Sequence, residues 1–393
     1  MTRINRLQHA ALAMVVMLLG ACASTPPPPL PQSSPQSALD GPVRALMDRE
    51  QVQGLAMAVI RNGQVRQLAV YGYQDVASGI PLRESSVLAA ASWTKTAVAY
   101  RVLQLADQRR LDLDAGPTSI LRNPLPQYQR ADADYSDLKA DARWRAWSPR
   151  ILLTHGSGLA NFRHFEPDGR LRIHFDPGTR YAYSGEGYQI LQFMLEQGLG
   201  LRLARTMERE VFTPLGMLDT SLVWQPRYAL RAATGYDAQG QAQPFDQRPR
   251  ADAAGSMAST IADQARFWAA LVRGDGLSQW ARSELVRPQR VIATPHQFPT
   301  LTEDLSAPYA AIGLAAGLGV ITYQGPAGQV WFKGGHDVGT GNLAVCVEAT
   351  GDCVVMMSND VRAERIYRDI TRQVLGDIGF PWRWEYGWLS PDP

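Results

Sequence analysis

The sequence predicts an α+β fold, with one antiparallel sheet built from both chain ends, flanking helices and a mainly helical subdomain. Strand-like runs occur early, at 55–60 and 65–73, and again after residue 313. Between about 117 and 290, apolar residues recur instead at helical spacing, and loops separate these runs. A single sheet with strands from both ends buries the apolar runs most simply. We expect a functional site between the sheet and the helical part.

Local spacing predicts the individual elements. A first helix at 38–53 would place Val43, Leu46 and Met47 on one face. Arg61-Asn62-Gly63 separates the two early strands and is typical of a hairpin turn. Further helices are predicted from Ser92 to about 110 and at 186–197, 201–212, 260–272 and 361–375, and late strands at 317–323, 329–332, 343–347 and 354–358.

The composition is that of a globular chain. Its 393 residues are 45% hydrophobic and 19% charged, which fits one large domain or two ordinary ones. The net charge of +2 is too small to predict nucleic-acid binding, and no basic run interleaved with aromatic residues occurs. We therefore expect no nucleic-acid partner.

The first residues resemble an export signal. A basic start precedes a short apolar run at 10–19, and small residues follow it. Leu19-Gly20-Ala21-Cys22 resembles the bacterial lipobox, in which the cysteine is lipidated. The alternative is a plain signal peptide that ends near a cysteine. Lipidation of Cys22 would make the membrane a partner of the chain through its N-terminal lipid.

These features predict the order of segments. A signal peptide at 1–21 would be followed by a proline-rich, stiff tether at 22–37 and a folded domain at 38–393, in which the helical part is inserted at about 117–290. Alanine, rather than aspartate, follows Cys22, which favours the outer membrane over the inner one. We expect a lipid-anchored protein of the bacterial cell envelope, on the periplasmic face of the outer membrane.

Two further cysteines flank a turn signal. Cys346 and Cys353 lie on either side of residues 348–351, between two strand-like runs. A four-residue turn would place them opposite each other on neighbouring strands, where a disulfide is possible. Two free, buried cysteines are the alternative.

The stretch from Ala91 to Val98 contains a Ser-x-x-Lys pair. Residues three apart share a helix face, so Ser92 and Lys95 would meet if a helix starts near Ser92. A lysine held partly out of water has a lowered pKa and is able to accept a proton. The pair therefore predicts a nucleophilic serine that needs no histidine.

Lysine usage supports this interpretation. The chain has only three lysines, because arginine provides nearly all of its positive charge. Arginine does not give up its proton in a protein, whereas lysine does. A second Ser-x-x-Lys, formed by Ser136 and Lys139, lies in a polar run without an apolar helix and is interpreted as a solvated loop.

Two later segments add groups that acyl transfer requires. Tyr183, on a loop before a predicted helix, is a candidate acid/base whose pKa nearby cations would lower; a packed loop aromatic is the alternative. Lys333 ends a predicted strand at Lys-Gly-Gly, where Gly334 and Gly335 would let a substrate lie close to the strand edge. The amide of His336 would pair with that of Ser92 as an oxyanion hole.

Taken in order, these segments resemble the serine β-lactamase and penicillin-binding-protein family. The resemblance is strongest to its class C β-lactamase-like branch of esterases and D-amino-acid peptidases, and it extends from about residue 40 to 375. It implies Ser92 as the acylated nucleophile, Lys95 as its proton partner, Tyr183 as the general acid/base and Lys333 as the residue that tunes Tyr183 or binds substrate. It also implies the Ser92 and His336 oxyanion hole, and no metal or organic cofactor.

Two positions depart from the family pattern. Gly185 stands where the second motif usually has asparagine, which hydrogen-bonds the catalytic lysine and a substrate amide. Gly334 stands where the third motif usually has threonine or serine, a contact to a substrate carboxylate. We therefore place Gly185, Gly334 and Gly335 in the substrate-binding region. Both changes count against an efficient β-lactamase and less against an esterase.

Three functional hypotheses follow. The first is a lipid-anchored serine hydrolase that acts on an ester or amide, either as an esterase or as a D-amino-acid peptidase; the second is a β-lactamase. The third is a protein that binds peptidoglycan fragments or β-lactams without turnover. A zinc site is not favoured, because the spacing of His155, His164 and His174 matches no metal template. No Gly-x-Ser-x-Gly motif supports an α/β-hydrolase triad.

Overall fold

The structure is a computed structural model that describes residues 38–131, 133–304 and 308–387. The predicted signal peptide, Cys22 and the proline-rich tether lie outside these ranges. Within them, no helix combines the length and the apolar character that crossing a membrane would require.

The predicted order of helices and strands is present. The helices are α1 (Asp40–Glu50), α2 (Trp93–Asp107), α3 (Pro117–Ile120), α4 (Pro149–Leu153), α5 (Gly185–Leu199), α6 (Leu203–Met207), α7 (Ile261–Arg273), α8 (Gln279–Val286), α9 (Tyr367–Leu375) and α10 (Trp382–Tyr386). The strands are β1 (Gly54–Arg61), β2 (Gln64–Asp75), β3 (Ile80–Pro81), β4 (Leu88–Ala89), β5 (Gln129–Arg130), β6 (Ala133–Asp134), β7 (Gly235–Tyr236), β8 (Ala242–Gln243), β9 (Ala258–Ser259), β10 (Arg290–Val291), β11 (Ala315–Ala316), β12 (Ile321–Gly325), β13 (Gly328–Asp337), β14 (Thr340–Val347) and β15 (Asp352–Ser358).

One antiparallel sheet joins the two ends of the chain. Among the described residues it has nine strands, in the order β10-β11-β12-β13-β14-β15-β1-β2-β3. The first strand, β1, pairs with the last, β15, so that Ala58 lies opposite Val355. The α+β prediction, with a sheet built from both ends and flanking helices, is confirmed.

Strand β1 shows why this sheet is central to the core. Successive side chains of a strand point to opposite faces, and almost the whole of β1 is buried. Ala56, Ala58 and Ile60 join one apolar cluster, which includes residues of α2 and α7. Leu55, Met57 and Val59 join a second cluster, with residues of α1 and α9. Helices therefore cover both faces, which explains the continuous apolar run in the sequence.

Several predicted boundaries differ. The strand expected at 317–323 begins only at Ile321, because Gly319 adopts a φ of +81° in a turn packed on α2. The strand expected to end at Lys333-Gly334-Gly335 continues to Asp337, paired with β14 throughout. The helix expected at 361–375 begins as a 3₁₀ turn, Val361–Ile366.

Part of the predicted helical insertion packs on the sheet. The helix expected at 201–212 is divided into α6 and a π-helical segment, Glu208–Phe212. Helix α7 packs directly on β1, β2 and β15 and therefore belongs to the layer that covers the sheet. The exact limits of a helical subdomain stay a prediction.

The hairpin of β14 and β15 contains the two cysteines. Cys346 and Cys353 are direct partners in the register, and their sulfurs are joined by a disulfide with an S–S distance of 2.01 Å. The turn at 348–351 links the two strands at this end of the sheet.

A buried ion pair secures the junction between β1 and β15. The side chain of Asp360 has no solvent exposure; its Oδ2 accepts from the Gln53 amide at 2.9 Å and from Arg362 Nη2 at 2.7 Å. We expect Asp360→Ala to lower the free energy of unfolding by about 3 kcal/mol, because it leaves a buried guanidinium and an amide without their partner. Urea unfolding would measure the loss.

The matched control for this prediction is Asp369→Ala, which removes an exposed aspartate that pairs with Arg49 at 3.3 Å. We expect a loss of about 0.5 kcal/mol or less there, because solvent screens exposed pairs. Equal losses at the two positions would show that burial of the Asp360 pair does not determine its contribution.

Candidate active site

A cleft of about 1260 Å³ lies between the sheet and the helical part of the chain. Its walls come from the start of α2, the segment after residue 160, the loops around 237–255 and 297–299, strand β13, and the C-terminal segments around 361–365 and 385–386. Ser92, Lys95, Tyr183 and Lys333 all line this cleft. The four residues are distant in sequence, so the fold rather than local structure brings them together.

Helix α2 holds Ser92 and Lys95 in contact. Ser92 is the N-cap residue, and Lys95 follows one turn later on the same face. The Nζ of Lys95 lies 3.1 Å from the Oγ of Ser92 and donates to the carbonyl of Ala254 at 2.5 Å. The Lys95 side chain is 1% exposed. This amine is enclosed by protein and has one fixed acceptor besides the serine.

Burial lowers the pKa of Lys95 well below the usual lysine value. The nearby charge of Lys333 lowers it further, whereas Asp252 opposes the shift. A neutral amine at this place is able to keep its hydrogen bond to Ala254 and to accept the proton of the Ser92 hydroxyl. The arrangement therefore supplies a base next to a serine, as the motif predicted.

Tyr183 approaches the same oxygen from the other side. Its hydroxyl donates to Ser92 Oγ at 2.7 Å, and the Nζ of Lys333 lies 3.4 Å from the Tyr183 oxygen. Both Lys95 and Lys333 have their Nζ 4.9 Å from the centre of the tyrosine ring. Burial nevertheless raises the pKa of Tyr183, and its hydrogen bond to Ser92 only partly offsets this. The free site thus contains a neutral phenol rather than a phenolate.

His155 positions Tyr183. The two rings stack with their centres 4.2 Å apart, and His155 Nδ1 accepts from the amide of Ser184 at 3.0 Å. Ser184 in turn caps α5 by accepting from the Gly187 amide. Burial lowers the pKa of His155 well below its usual value, so the ring is neutral and able to accept this bond.

Trp93 connects the helix of Ser92 to the strand of Lys333. Its indole Nε1 donates to the carbonyl of Lys333 at 2.8 Å, across a buried contact between α2 and β13. Burial lowers the pKa of Lys333, whereas the charge of Glu385 raises it. His336, three residues further along β13, also lines the cleft, and its Nδ1 lies 2.9 Å from Glu364 Oε1.

The place of the absent asparagine at Gly185 is filled by an aromatic ring. A Cβ built on Gly185 would lie 2.5 Å from Cε1 and from Cζ of Phe162. Phe162 and Gly185 are linked through Asn161, whose Oδ1 accepts from the Gly185 amide at 2.9 Å. An apolar ring therefore stands at this position of the wall, where the family pattern led us to expect an amide-binding side chain, and the polar Asn161, Arg163 and Glu186 line the cleft nearby.

The space at the two glycines of β13 is also filled by protein. A Cβ on Gly334 would lie 1.8 Å from Glu385 Oε1, and a Cβ on Gly335 would lie 2.9 Å from the Ala90 carbonyl. Both glycines line the cleft, and their place in a substrate-binding region stays a prediction. Gly334 accommodates a carboxylate from α10, and Gly335 allows β13 to pack against the segment before Ser92.

The remaining predicted alternatives lie elsewhere. Lys139 is exposed on a 3₁₀ turn, Ser136–Ala140, rather than on the predicted loop. His164 stacks on Phe162, and His174 contacts Glu166 at 2.6 Å. In the part of the chain that the structure describes, no group of three or more His, Cys, Asp or Glu side chains is arranged to hold a metal ion.

Three functional contacts were missed by sequence reasoning: the Ala254 carbonyl, the Phe162 ring and the Glu385 carboxylate. Phe162 lies in a loop whose shape the sequence does not define. Glu385 is a lone acid in the aromatic stretch 382–386, and this unusual setting was its only signal in the sequence.

The fold and this constellation define a serine hydrolase of the Ser-x-x-Lys type. A family model described as Beta-lactamase matches residues 39–376. The chain therefore belongs to the beta-lactamase family, which confirms the resemblance found in the sequence.

Individual relatives differ in their named activities. Esterase EstB of Burkholderia gladioli is 30% identical over 206 residues, which cover 46% of this chain and 49% of the esterase. A D-aminopeptidase of Gluconobacter oxydans is 26% identical over 206 residues, 51% of this chain and 38% of that enzyme. The matches to these two relatives thus span less than half of their length. Penicillin-binding protein 4 of Amycolatopsis lactamdurans is 25% identical over 358 residues, 85% of this chain and 88% of that protein.

Solved structures share the fold. The octameric penicillin-binding protein homologue from Pyrococcus abyssi superposes with a TM-score of 0.69 at 18% identity, over 88% of this chain and 79% of that one. The D-alanine carboxypeptidase AmpC from Burkholderia cenocepacia gives a TM-score of 0.65 at 17% identity, over 84% of this chain and 96% of that one.

The contact between Gly185 and Phe162 leads to a prediction about stability. We expect Gly185→Ala to lower the free energy of unfolding by about 1–2 kcal/mol, because the new methyl group forces the Phe162 ring away. In a Phe162→Ala background the same change should be neutral or stabilising, since alanine favours a helix over glycine. Urea unfolding of the four proteins would give the coupling between the two positions. Additive effects would contradict the contact.

Proposed function

We propose that the protein is an esterase that forms an acyl-enzyme at Ser92. The observation on which this rests is the position of Ser92 Oγ, 3.1 Å from the buried amine of Lys95 and 2.7 Å from the hydroxyl of Tyr183. A nucleophile, a proton acceptor and a proton donor thus meet at one point of a cleft. These three groups together support acyl transfer as the class of reaction, and the Phe162 wall supports an ester within that class.

In the proposed acylation, Ser92 Oγ attacks the ester carbonyl while its proton passes to the neutral Lys95 amine. The bond from Oγ to the carbonyl carbon forms, and the backbone amides of Ser92 and His336 stabilise the oxyanion. The tetrahedral intermediate then breaks its bond to the alcohol oxygen, which takes a proton from Tyr183. Lys95 then gives the proton that it took from Ser92 to the Tyr183 oxygen, so that both groups regain their starting states. In deacylation, water attacks the acyl carbonyl and gives its proton to the same groups. The bond from the carbonyl carbon to Ser92 Oγ then breaks, Oγ regains a proton, and the carboxylic acid is released.

Lys333 has a supporting role in this scheme. Its ammonium lies 3.4 Å from the Tyr183 oxygen, where it stabilises negative charge on that oxygen while the proton is away. Because burial raises the pKa of Tyr183, such help is needed only in the transition state. An interaction that strengthens in the transition state raises the rate rather than the affinity.

The Phe162 wall supports an ester over an amide. The partly buried Phe162 ring offers no hydrogen bond to the N–H of an amide, and an unpaired N–H is costly to bury. An ester has no such group. The relative named as an esterase supports the same direction, whereas the relatives named D-aminopeptidase, penicillin-binding protein and beta-lactamase keep peptidase and β-lactamase activity as alternatives.

The proposed mechanism predicts the effect of Lys95→Arg. Arginine keeps the positive charge but does not lose its proton, so acylation should fall by about a thousandfold. The wild-type rate should rise with pH through the lowered pKa of Lys95, well below the usual lysine range, and this rising limb should be absent in the variant. The measurements are kcat/KM on a p-nitrophenyl ester against pH and the adduct mass with a fluorophosphonate.

Ser92→Ala is the matched control, in which both the adduct and the turnover should disappear. A penicillin then separates the alternatives: an adduct that persists indicates a binder without turnover, and an adduct that forms and decays indicates a β-lactamase. An adduct that survives Ser92→Ala would contradict the assignment of the nucleophile.

We also propose that the chain is lipid-anchored at Cys22 in the bacterial cell envelope. The support is the lipobox-like stretch and the proline-rich tether in the sequence. Expressed at full length in a bacterium with a radiolabelled fatty acid, the wild type should incorporate label and sediment with membranes, whereas Cys22→Ser should do neither. Labelling of the Cys22→Ser variant would overturn the proposal.

A further inference from the structure

Glu385 occupies the position of the third-motif side chain. Its Oε1 lies 1.8 Å from where a Cβ on Gly334 would be, so no residue larger than glycine fits at 334 beside it. Glu385 is 3% exposed, lines the cleft and belongs to α10, which lies beyond the family match that ends at residue 376. The carboxylate therefore comes from a segment outside the residues that the family model matches.

The surroundings hold this carboxylate in one orientation. The side-chain Nε2 of Gln297 donates to Glu385 Oε2 at 2.8 Å. The backbone N–H of Gln297 donates to the Trp384 carbonyl, also at 2.8 Å. The Tyr181 hydroxyl donates to Gln297 Oε1 at 3.3 Å, which fixes the orientation of the Gln297 amide group. One carboxylate oxygen is thus bound to protein, and the other lies at Gly334.

The charges at this end of the cleft disfavour an anion. Burial lowers the pKa of Lys333 to about 8 and raises the pKa of Glu385 to about 7, and the charge of each residue opposes the shift of the other. The charge of Lys333 is then compensated by the protein rather than left for a substrate carboxylate. Glu364 lies in the same wall, 2.9 Å from His336 Nδ1. Burial lowers the pKa of His336, but the contact with Glu364 outweighs this and raises it, so these two also form a pair of opposite charge.

We propose that Glu385 is a specificity-determining residue that selects esters whose alcohol part carries no negative charge. This inference rests on the proposed esterase function. In this proposal the acyl part of the substrate lies against Phe162, and the alcohol part lies at the Gly334 end of the cleft. The penicillin-like substrates of the wider resemblance, which present a carboxylate at this end, are disfavoured by the same group.

The test uses three butyrate esters with one acyl group and three phenols. The phenols are 3-hydroxybenzoate, 3-hydroxybenzamide and 3-hydroxyphenyltrimethylammonium, which carry a negative charge, no charge and a positive charge. Each kcat/KM is divided by the alkaline hydrolysis rate of the same ester, which removes differences in intrinsic reactivity. At low ionic strength we expect the cationic ester to exceed the anionic one by about tenfold or more.

Glu385→Gln is the matched variant, because glutamine has the same shape and still accepts the bond from Gln297. The cationic-to-anionic ratio should fall by about tenfold, mainly because the uncompensated Lys333 now favours the carboxylate ester. Asp369→Asn, which removes one negative charge outside the cleft, should leave the ratio unchanged. Thermal melting of each variant confirms that it is folded.

A binding measurement separates the two proposals. Calorimetry of the three esters with Ser92→Ala reports charge selectivity without turnover. If no ester is hydrolysed but the anionic ester binds worst and Glu385→Gln/Ser92→Ala loses that order, the esterase proposal fails and the role of Glu385 stands. Turnover or binding that is independent of charge, or unchanged by Glu385→Gln, would overturn the inference.

Discussion

The exclusion of water from the Lys95 amine is the constraint on which the site depends. An exposed lysine next to a serine would remain protonated at neutral pH and be a donor, not a base. Here α2 places the Lys95 amine 3.1 Å from Ser92 Oγ, and the amine donates a hydrogen bond to the Ala254 carbonyl. The Tyr183 ring packs against the same amine. Each of these neighbours comes from a different part of the chain. The lowered pKa of Lys95 is therefore a property of the fold.

Tyr183 has to remain neutral and yet be close to two lysines. Burial raises its pKa, while the Lys333 ammonium lies where a transient phenolate would need it. His155 stacks on the Tyr183 ring and is itself held by a hydrogen bond from the Ser184 amide to its Nδ1. Burial lowers the pKa of His155, so this support adds no charge next to Tyr183. A neutral histidine, a neutral lysine and a neutral phenol thus surround the serine. The remaining cation, Lys333, is opposed by Glu385.

The two departures from the family pattern have one physical explanation. At Gly185 and at Gly334, a side chain from another segment occupies the volume that the motif side chain would fill. Phe162 places an aromatic ring in one wall, and Glu385 places a carboxylate in the other. Loss of the motif side chain at either position did not leave a void, because cores and cleft walls are close-packed. The chemistry of the cleft has therefore changed on both sides of an unchanged serine, lysine and tyrosine.

The sequence by itself determined what depends on neighbours along the chain. The Ser92 and Lys95 contact follows from a spacing of three on a helix, and the pairing of Cys346 with Cys353 follows from a short turn. Strand-like runs at both ends were enough to predict a sheet that joins them. Boundaries that depend on packing were less accurate, as at Gly319 and at the end of β13.

Only the tertiary structure decided which distant side chains complete the cleft. Tyr183 meets Ser92 across 91 positions, and Gln297 meets Glu385 across 88. Motif order predicted the first of these meetings through the family resemblance, but nothing predicted the second. The direction of a side chain on a short C-terminal helix depends on what the helix packs against, and local spacing carries no information about that. The direction of the Phe162 side chain is equally undetermined by the sequence, because its loop has no regular repeat of apolar residues that would indicate which way it points.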